Sequence, residues 1–100
     1  MAERDNEKVN FEQQDQVLFL MLVQQHQQIA MMGLGQQENP STGKKEKDLK
    51  AVKYSIDTLT MLEKYTAGNL SKEMADYLSE TLKNLRLQYV NANKSDGADE

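Results

Sequence analysis

Apolar residues recur every three or four positions in three stretches of the chain, which is the period of an α-helix. No stretch keeps up the strict apolar-polar alternation of a half-buried β-strand. The pattern predicts α1 over 11–32, α2 over 45–66 and α3 over 72–90. Three helices with short connections imply an all-α fold, either a small antiparallel three-helix bundle or a helical hairpin with a docked third helix.

The first predicted helix has apolar residues on two sides. One side is predicted to face the core and contains Leu18, Met21, Leu22, Gln25, Ile29 and Met32. A second stripe, at spacings i, i+4, i+7 and i+11, contains Phe19, Val23, His26 and Ala30. Because one three-helix unit cannot cover both sides, we expect the second stripe to be a surface for association.

The other two predicted helices differ in how many apolar sides they have. The second has a core face and also an outer stripe of Tyr54, Thr58, Met61 and Tyr65. Its predicted core residues are Leu49, Val52, Ile56, Leu59 and Leu62. The third has a single apolar face, made of Met74, Tyr77, Leu78, Thr81, Leu82, Leu85 and Tyr89. The third helix therefore needs only one packing partner.

Turn residues mark the ends of these helices. Gly33 and Gly35 are candidate left-handed caps for the first helix, and Gly68 with Asn69 closes the second. Ser71 is the predicted N-cap of the third helix, because its hydroxyl can accept from free backbone N–H groups of the first turn. The polar stretches 1–10 and 91–100 are predicted to be disordered tails around one domain, 11–90.

Charge and composition narrow the classes of partner. The net charge of -4 gives no long-range attraction to nucleic acid or to anionic lipid, so we expect neither partner. The longest apolar run, 17–23, is far shorter than the roughly 20 residues that a membrane span needs. The acidic start of the chain does not resemble a signal peptide, and the chain contains no cysteine. These features predict a cytoplasmic protein.

The residues that enzymes use are scarce. The chain has no cysteine and one histidine, and no serine or threonine has a neighbouring base that the sequence identifies. We therefore predict no catalytic activity, no cofactor and no metal site. His26 can be interpreted as a metal ligand or pH-sensitive interface residue, or as an ordinary polar residue at the edge of an interface.

One polar cluster has two interpretations. Asp57 could form a surface pair with Lys53, four residues earlier, or it could be a partly buried carboxylate satisfied by Arg86 or by a tyrosine hydroxyl such as that of Tyr89. The second interpretation leads to an alternative function. A small ligand-binding or regulatory domain would have a pocket between the second and third helices, lined by Tyr54, Asp57, Arg86 and Tyr89.

The order of several short motifs resembles a known family. NPSTG is followed by DLKAVKYSIDTLTMLEKYTAGNL and then by LRLQYV, and this succession is similar to the bacterial domain-of-unknown-function family 1844. The likeness covers about Gln16 to Val90. It implies a small helical cytoplasmic bacterial protein, and it supplies no activity or site residues. Tyr65 departs from the family pattern, which usually has lysine there, as do the glutamines and His26 of the first helix.

The two-sided helices determine the functional prediction. Phe19, Val23, His26 and Ala30, with Tyr54, Met61 and Tyr65, would leave an apolar patch on a monomer, and such patches usually mark interfaces. We predict a homo-oligomeric interaction module, with a dimer favoured, and an unknown protein partner is the other possibility.

Overall fold

The computed structural model describes residues 2–94, with side chains from residue 13 onward. It contains three helices, α1 (Ala2–Gly33), α2 (Leu49–Tyr65) and α3 (Lys72–Asn93), and no strand within that part of the chain. The predicted all-α fold is confirmed. α1 begins nine residues before the predicted start, and α3 runs three residues into the predicted tail at 91–100. The tail residues 95–100 and the side chains of residues 2–12 lie outside the described part, so disorder there stays a prediction.

The helices pack so that α2 is antiparallel to both of its neighbours. The backbone N–H of Asp48 donates to the carbonyl of Gly33 at 2.7 Å, which ties the start of α2 to the end of α1. The guanidinium of Arg86 donates to the hydroxyl of Thr60 at 2.9 Å across α2 and α3. One core lies between the three helices, made of Val23, Ala30, Leu34, Val52, Ile56, Leu59, Leu78, Leu82 and Leu85.

The connection between α1 and α2 begins with a glycine cap. Gly35 has a φ of 80° and caps α1, with the N–H of Gln36 donating to Met31 and that of Gly35 to Met32. This pair of bonds is a Schellman motif, and the left-handed residue in it is one that glycine adopts without steric cost. Gly33, the other predicted cap, is instead the last residue of α1.

The start of α2 differs from the prediction by four residues. Asp48 is the N-cap, and its carboxylate accepts from the N–H of Ala51 at 3.2 Å. The lysines at 44, 45 and 47 lie in the loop, although the predicted helix began at residue 45. An acidic cap stabilises this end of the helix because it satisfies a free N–H and meets the positive end of the helix dipole. The Ser71 cap of α3 is as predicted, with its hydroxyl accepting from Met74 at 3.2 Å.

The two faces of α1 are the reverse of the prediction. Val23 and Ala30, predicted as surface residues, are fully buried, and Phe19 packs against the core. Leu18 and Met21, predicted as core residues, are more than half exposed. The small residues Ala30 and Gly33 explain which side of α1 is buried, because they let α1 approach α2 closely. A Cβ on Gly33 would lie 2.7 Å from the carbonyl oxygen of Asp48.

The predicted faces of α2 and α3 are confirmed. Val52, Ile56 and Leu59 are buried, whereas Tyr54, Met61 and Tyr65 are exposed on the other side of α2. The apolar face of α3 contains the buried residues Leu78, Thr81, Leu82 and Leu85. The predicted buried side is thus wrong only for α1, the helix that is apolar on all sides.

Candidate interaction surface

An exposed apolar surface runs along the outer side of the α1–α2 hairpin. In α1 the exposed fraction of its apolar side chains is between 37% and 57%, and in α2 it is between 44% and 72%. We call this surface the outer face. It consists of Val17, Leu18, Met21, Leu22, Tyr54, Met61 and Tyr65.

The contribution of α1 and that of α2 meet at the seam between the helices. The ring of His26 lies 5.9 Å from the ring of Tyr54, at an interplanar angle of 57°. Leu22 lies one turn before His26 on α1, and Met61 and Tyr65 follow Tyr54 at i+7 and i+11 on α2. Because the two helices are antiparallel, these apolar residues run beside one another along the hairpin. The contact between His26 and Tyr54 joins the two helices beside the outer face.

The part of α1 that carries the outer face has no formal charge. The 18 residues from Gln16 to Gly33 contain no Asp, Glu, Lys or Arg, in a chain that is 28% charged. The exposed polar positions in this stretch are glutamines, at 16, 24, 25 and 28. A solvent-exposed helix face normally has charged side chains, so this one is suited to being covered by another surface.

The predicted polar cluster of Asp57, Arg86 and Tyr89 is not a buried site. The Asp57 side chain is 61% exposed and pairs with Lys53 at 2.8 Å, which is the surface-pair interpretation. The hydrogen bond between Lys53 and Asp57 and the negative charge of Asp57 raise the pKa of Lys53. Arg86 is exposed and contacts Thr60, and the ring of Tyr54, itself exposed, contacts that of His26. Tyr54 and Arg86 therefore have neighbours other than Asp57, whereas Tyr89 lies near enough to Lys53, the partner of Asp57, to contribute to raising its pKa.

His26 is half-buried at the seam beside the outer face. Its Nδ1 is buried and has no hydrogen-bond partner among the described residues. The described residues include no group of three or more His, Asp or Glu side chains that could hold a metal ion. His26 is placed by its packing against Tyr54, next to the outer face but not on its exposed part.

Most of this helical unit matches a known protein family. Residues 16–91 match the family described as "Domain of unknown function (DUF1844)". The chain belongs to this family. No curated protein and no solved structure matches the chain. In the described part of this DUF1844 chain, no helix combines the length and the apolar character that crossing a bilayer needs.

The family region and the outer face overlap. The match begins at residue 16, where the uncharged stretch of α1 also begins, and it includes all seven residues of the outer face. The spacing of α2 predicted its part of this surface, but in α1 the residues Leu18, Met21 and Leu22 were predicted to face the core. The missed signal was the absence of charge from residue 16 to residue 33, which is visible in the sequence.

Proposed function

We propose that this DUF1844 protein is a homodimeric interaction module without catalytic activity, and that two copies associate through their outer faces. The observation that carries the proposal is the exposed apolar face of α1, within 18 residues that have no formal charge. A bacterial cytoplasmic protein is part of the same proposal, supported by the family resemblance and by the absence of cysteine.

A second copy fits this surface because two identical copies of it can meet without like-charge repulsion. In a twofold dimer the same patch meets itself, so a face with strong charge of one sign would repel its copy. The α1 part of the outer face contributes no formal charge. Glutamine side chains can both donate and accept, so a glutamine can pair with the same glutamine of another copy.

The residue types of the outer face agree with a dimer interface. All seven of its side chains are apolar or aromatic and exposed. The aromatic and methionine side chains on this surface, Tyr54, Tyr65, Met21 and Met61, belong to the types enriched at interfaces.

Size-exclusion chromatography with light scattering tests the proposal. We expect the wild-type chain to have the mass of a dimer at tens of micromolar, and Leu18→Glu to have the mass of a monomer with unchanged helical circular dichroism. The matched control is Leu87→Glu, because Leu87 is an exposed apolar residue on α3, 61% accessible and outside the outer face. A monomeric wild type, or dimers lost equally in both variants, would contradict the proposal.

A further inference from the structure

The chain offers oxidants few sulfur atoms, and only two methionines among the described side chains are exposed. It contains no cysteine, so the methionine thioethers are its only sulfur groups. Methionine is a common target of oxidants, which convert it to methionine sulfoxide. Met21 is 57% exposed and Met61 is 44% exposed. Met31, Met32 and Met74 are half-buried, so an oxidant reaches them less readily.

The two exposed methionines both belong to the outer face, and they lie at nearly the same level of the α1–α2 hairpin. The contact between the rings of His26 and Tyr54 marks a common level of the two antiparallel helices. Met21 lies five residues before His26, and Met61 lies seven residues after Tyr54. At about 1.5 Å per residue, both are roughly 8–11 Å from that contact, in the same direction along the hairpin. The two oxidisable sulfur atoms therefore lie in one band across the hairpin.

We infer that Met21 and Met61 form an oxidation site, and that a peroxide acting there prevents two copies from associating through their outer faces. The consequence for association rests on the proposed function, whereas the choice of the two residues rests on their exposure. The site is a reversible switch, because enzymes reduce methionine sulfoxide back to methionine.

The reaction is an oxygen transfer from the peroxide to the thioether sulfur. With hydrogen peroxide, a sulfur lone pair of Met21 or Met61 attacks one peroxide oxygen, the O–O bond breaks and an S–O bond forms. A proton moves from the transferred oxygen to the departing one, which leaves as water. The sulfur is oxidised by two electrons and the peroxide is reduced by two, so each peroxide yields one sulfoxide and one water. The protein need supply only an accessible sulfur atom.

The product changes the polarity of the outer face without changing the core. A thioether is apolar and a weak acceptor, whereas a sulfoxide oxygen is polar and needs a hydrogen-bond donor when it is buried. Met21 lies on the opposite side of α1 from the buried Val23, and Met61 lies on the opposite side of α2 from the buried Leu59. In a twofold dimer each modified residue occurs twice. Oxidation should therefore weaken association and leave each monomer folded.

Tandem mass spectrometry of proteolytic peptides, during treatment with hydrogen peroxide, tests the choice of residues. We expect Met21 and Met61 to gain one oxygen several-fold faster than Met31, Met32 and Met74 in dilute protein. At a protein concentration well above the dissociation constant, oxidation of Met21 and Met61 should slow because the partner covers them. Met74, outside the outer face, should keep its rate. Equal rates at all these residues in dilute protein would overturn the oxidation site.

Light scattering of the oxidised protein tests the consequence. We expect peroxide to raise the dissociation constant of the wild-type dimer at least about tenfold, with unchanged helical circular dichroism. The double variant Met21→Leu and Met61→Leu should stay dimeric after the same treatment, because leucine is apolar and has no sulfur. The double variant Met31→Leu and Met74→Leu is the matched control and should respond as the wild type does. Methionine sulfoxide reductases should restore the wild-type dimer.

The possible failures are distinguishable. A wild-type dimer that survives full oxidation of Met21 and Met61 would overturn the switch. So would a dimer that peroxide disrupts equally in the double variant Met21→Leu and Met61→Leu, or a loss of helical circular dichroism on oxidation. A wild type that is monomeric before oxidation would contradict the proposed function, and faster oxidation of Met21 and Met61 would then still support the oxidation site.

Discussion

At the scale of single residues, Gly33 determines how closely α1 and α2 approach. A Cβ there would lie 2.7 Å from both the carbonyl oxygen of Asp48 and the Cγ2 of Val52. One of these neighbours belongs to the backbone of the α2 cap, so it cannot move aside as the end of a flexible side chain could.

We expect Gly33→Ala to destabilise the fold by about 1–3 kcal/mol, which is the usual cost of overpacking. Helix propensity alone would have the opposite sign, because alanine is favoured over glycine within a helix by about 1 kcal/mol. Urea denaturation measures the difference. Gln24→Ala, at an exposed position of the same helix, is the control, and a Gly33→Ala variant more stable than wild type would contradict the close approach.

Ser55 is a buried polar residue whose hydroxyl makes no hydrogen bond with the described residues. Removing a buried hydroxyl that lacks a partner costs little, because its desolvation penalty disappears with it. We expect Ser55→Ala to change the free energy of unfolding by less than about 0.5 kcal/mol, or to increase it slightly. Thermal denaturation measures the change, and Ser79→Ala, at an exposed serine of α3, is the control. A loss of more than about 1.5 kcal/mol would show that the hydroxyl has a partner.

At the scale of elements, the N-cap of α2 is a separate determinant of the hairpin. Asp48 accepts from the N–H of Ala51, and its own N–H donates to Gly33, so one residue both starts α2 and joins it to α1. We expect Asp48→Ala to lower the free energy of unfolding by about 1 kcal/mol, with faster amide exchange in the first turn of α2. Asp48→Asn keeps an accepting oxygen and should retain most of the stability. Equal stability of wild type and Asp48→Ala would contradict the role of the cap.

Periodicity predicted the elements well wherever a helix has one dominant apolar side. The buried faces of α2 and α3 follow from the spacing of residues such as Val52, Leu59 and Leu82, and the Ser71 cap follows from its position before α3. The start of α2 did not follow, because Lys45 to Lys47 are good helix formers and the capping residue beyond them decides the boundary.

For α1 the spacing offers two apolar sides, and periodicity alone does not choose between them. The larger residues, Leu18 and Met21, suggested the core, yet burial follows Val23, Ala30 and Gly33, whose small side chains permit the close contact with α2. Which side is buried therefore depends on the fit between two helices, which is a tertiary property. The outer face could have been found in full only by combining this packing criterion with the missing charge.

At the scale of the whole molecule, the core and the outer face are two sides of the same helix. The core is closed by α2 and α3 on one side of α1, and the other side has apolar residues that no part of the described chain covers. A second copy would cover them and form a closed assembly. In this account α1 is the central helix of the dimer, although it lies at one side of the monomer.

The pair Met21→Glu and Val23→Glu tests this central claim most directly, because the two positions are close in sequence and lie on opposite sides of α1. Met21 is 57% exposed and Val23 is fully buried. Sedimentation velocity with circular dichroism on both variants is the measurement. The account predicts that Met21→Glu is a folded monomer and that Val23→Glu loses its helical fold, since a carboxylate cannot be buried unpaired in the core. A folded Val23→Glu monomer together with an unfolded Met21→Glu would contradict it.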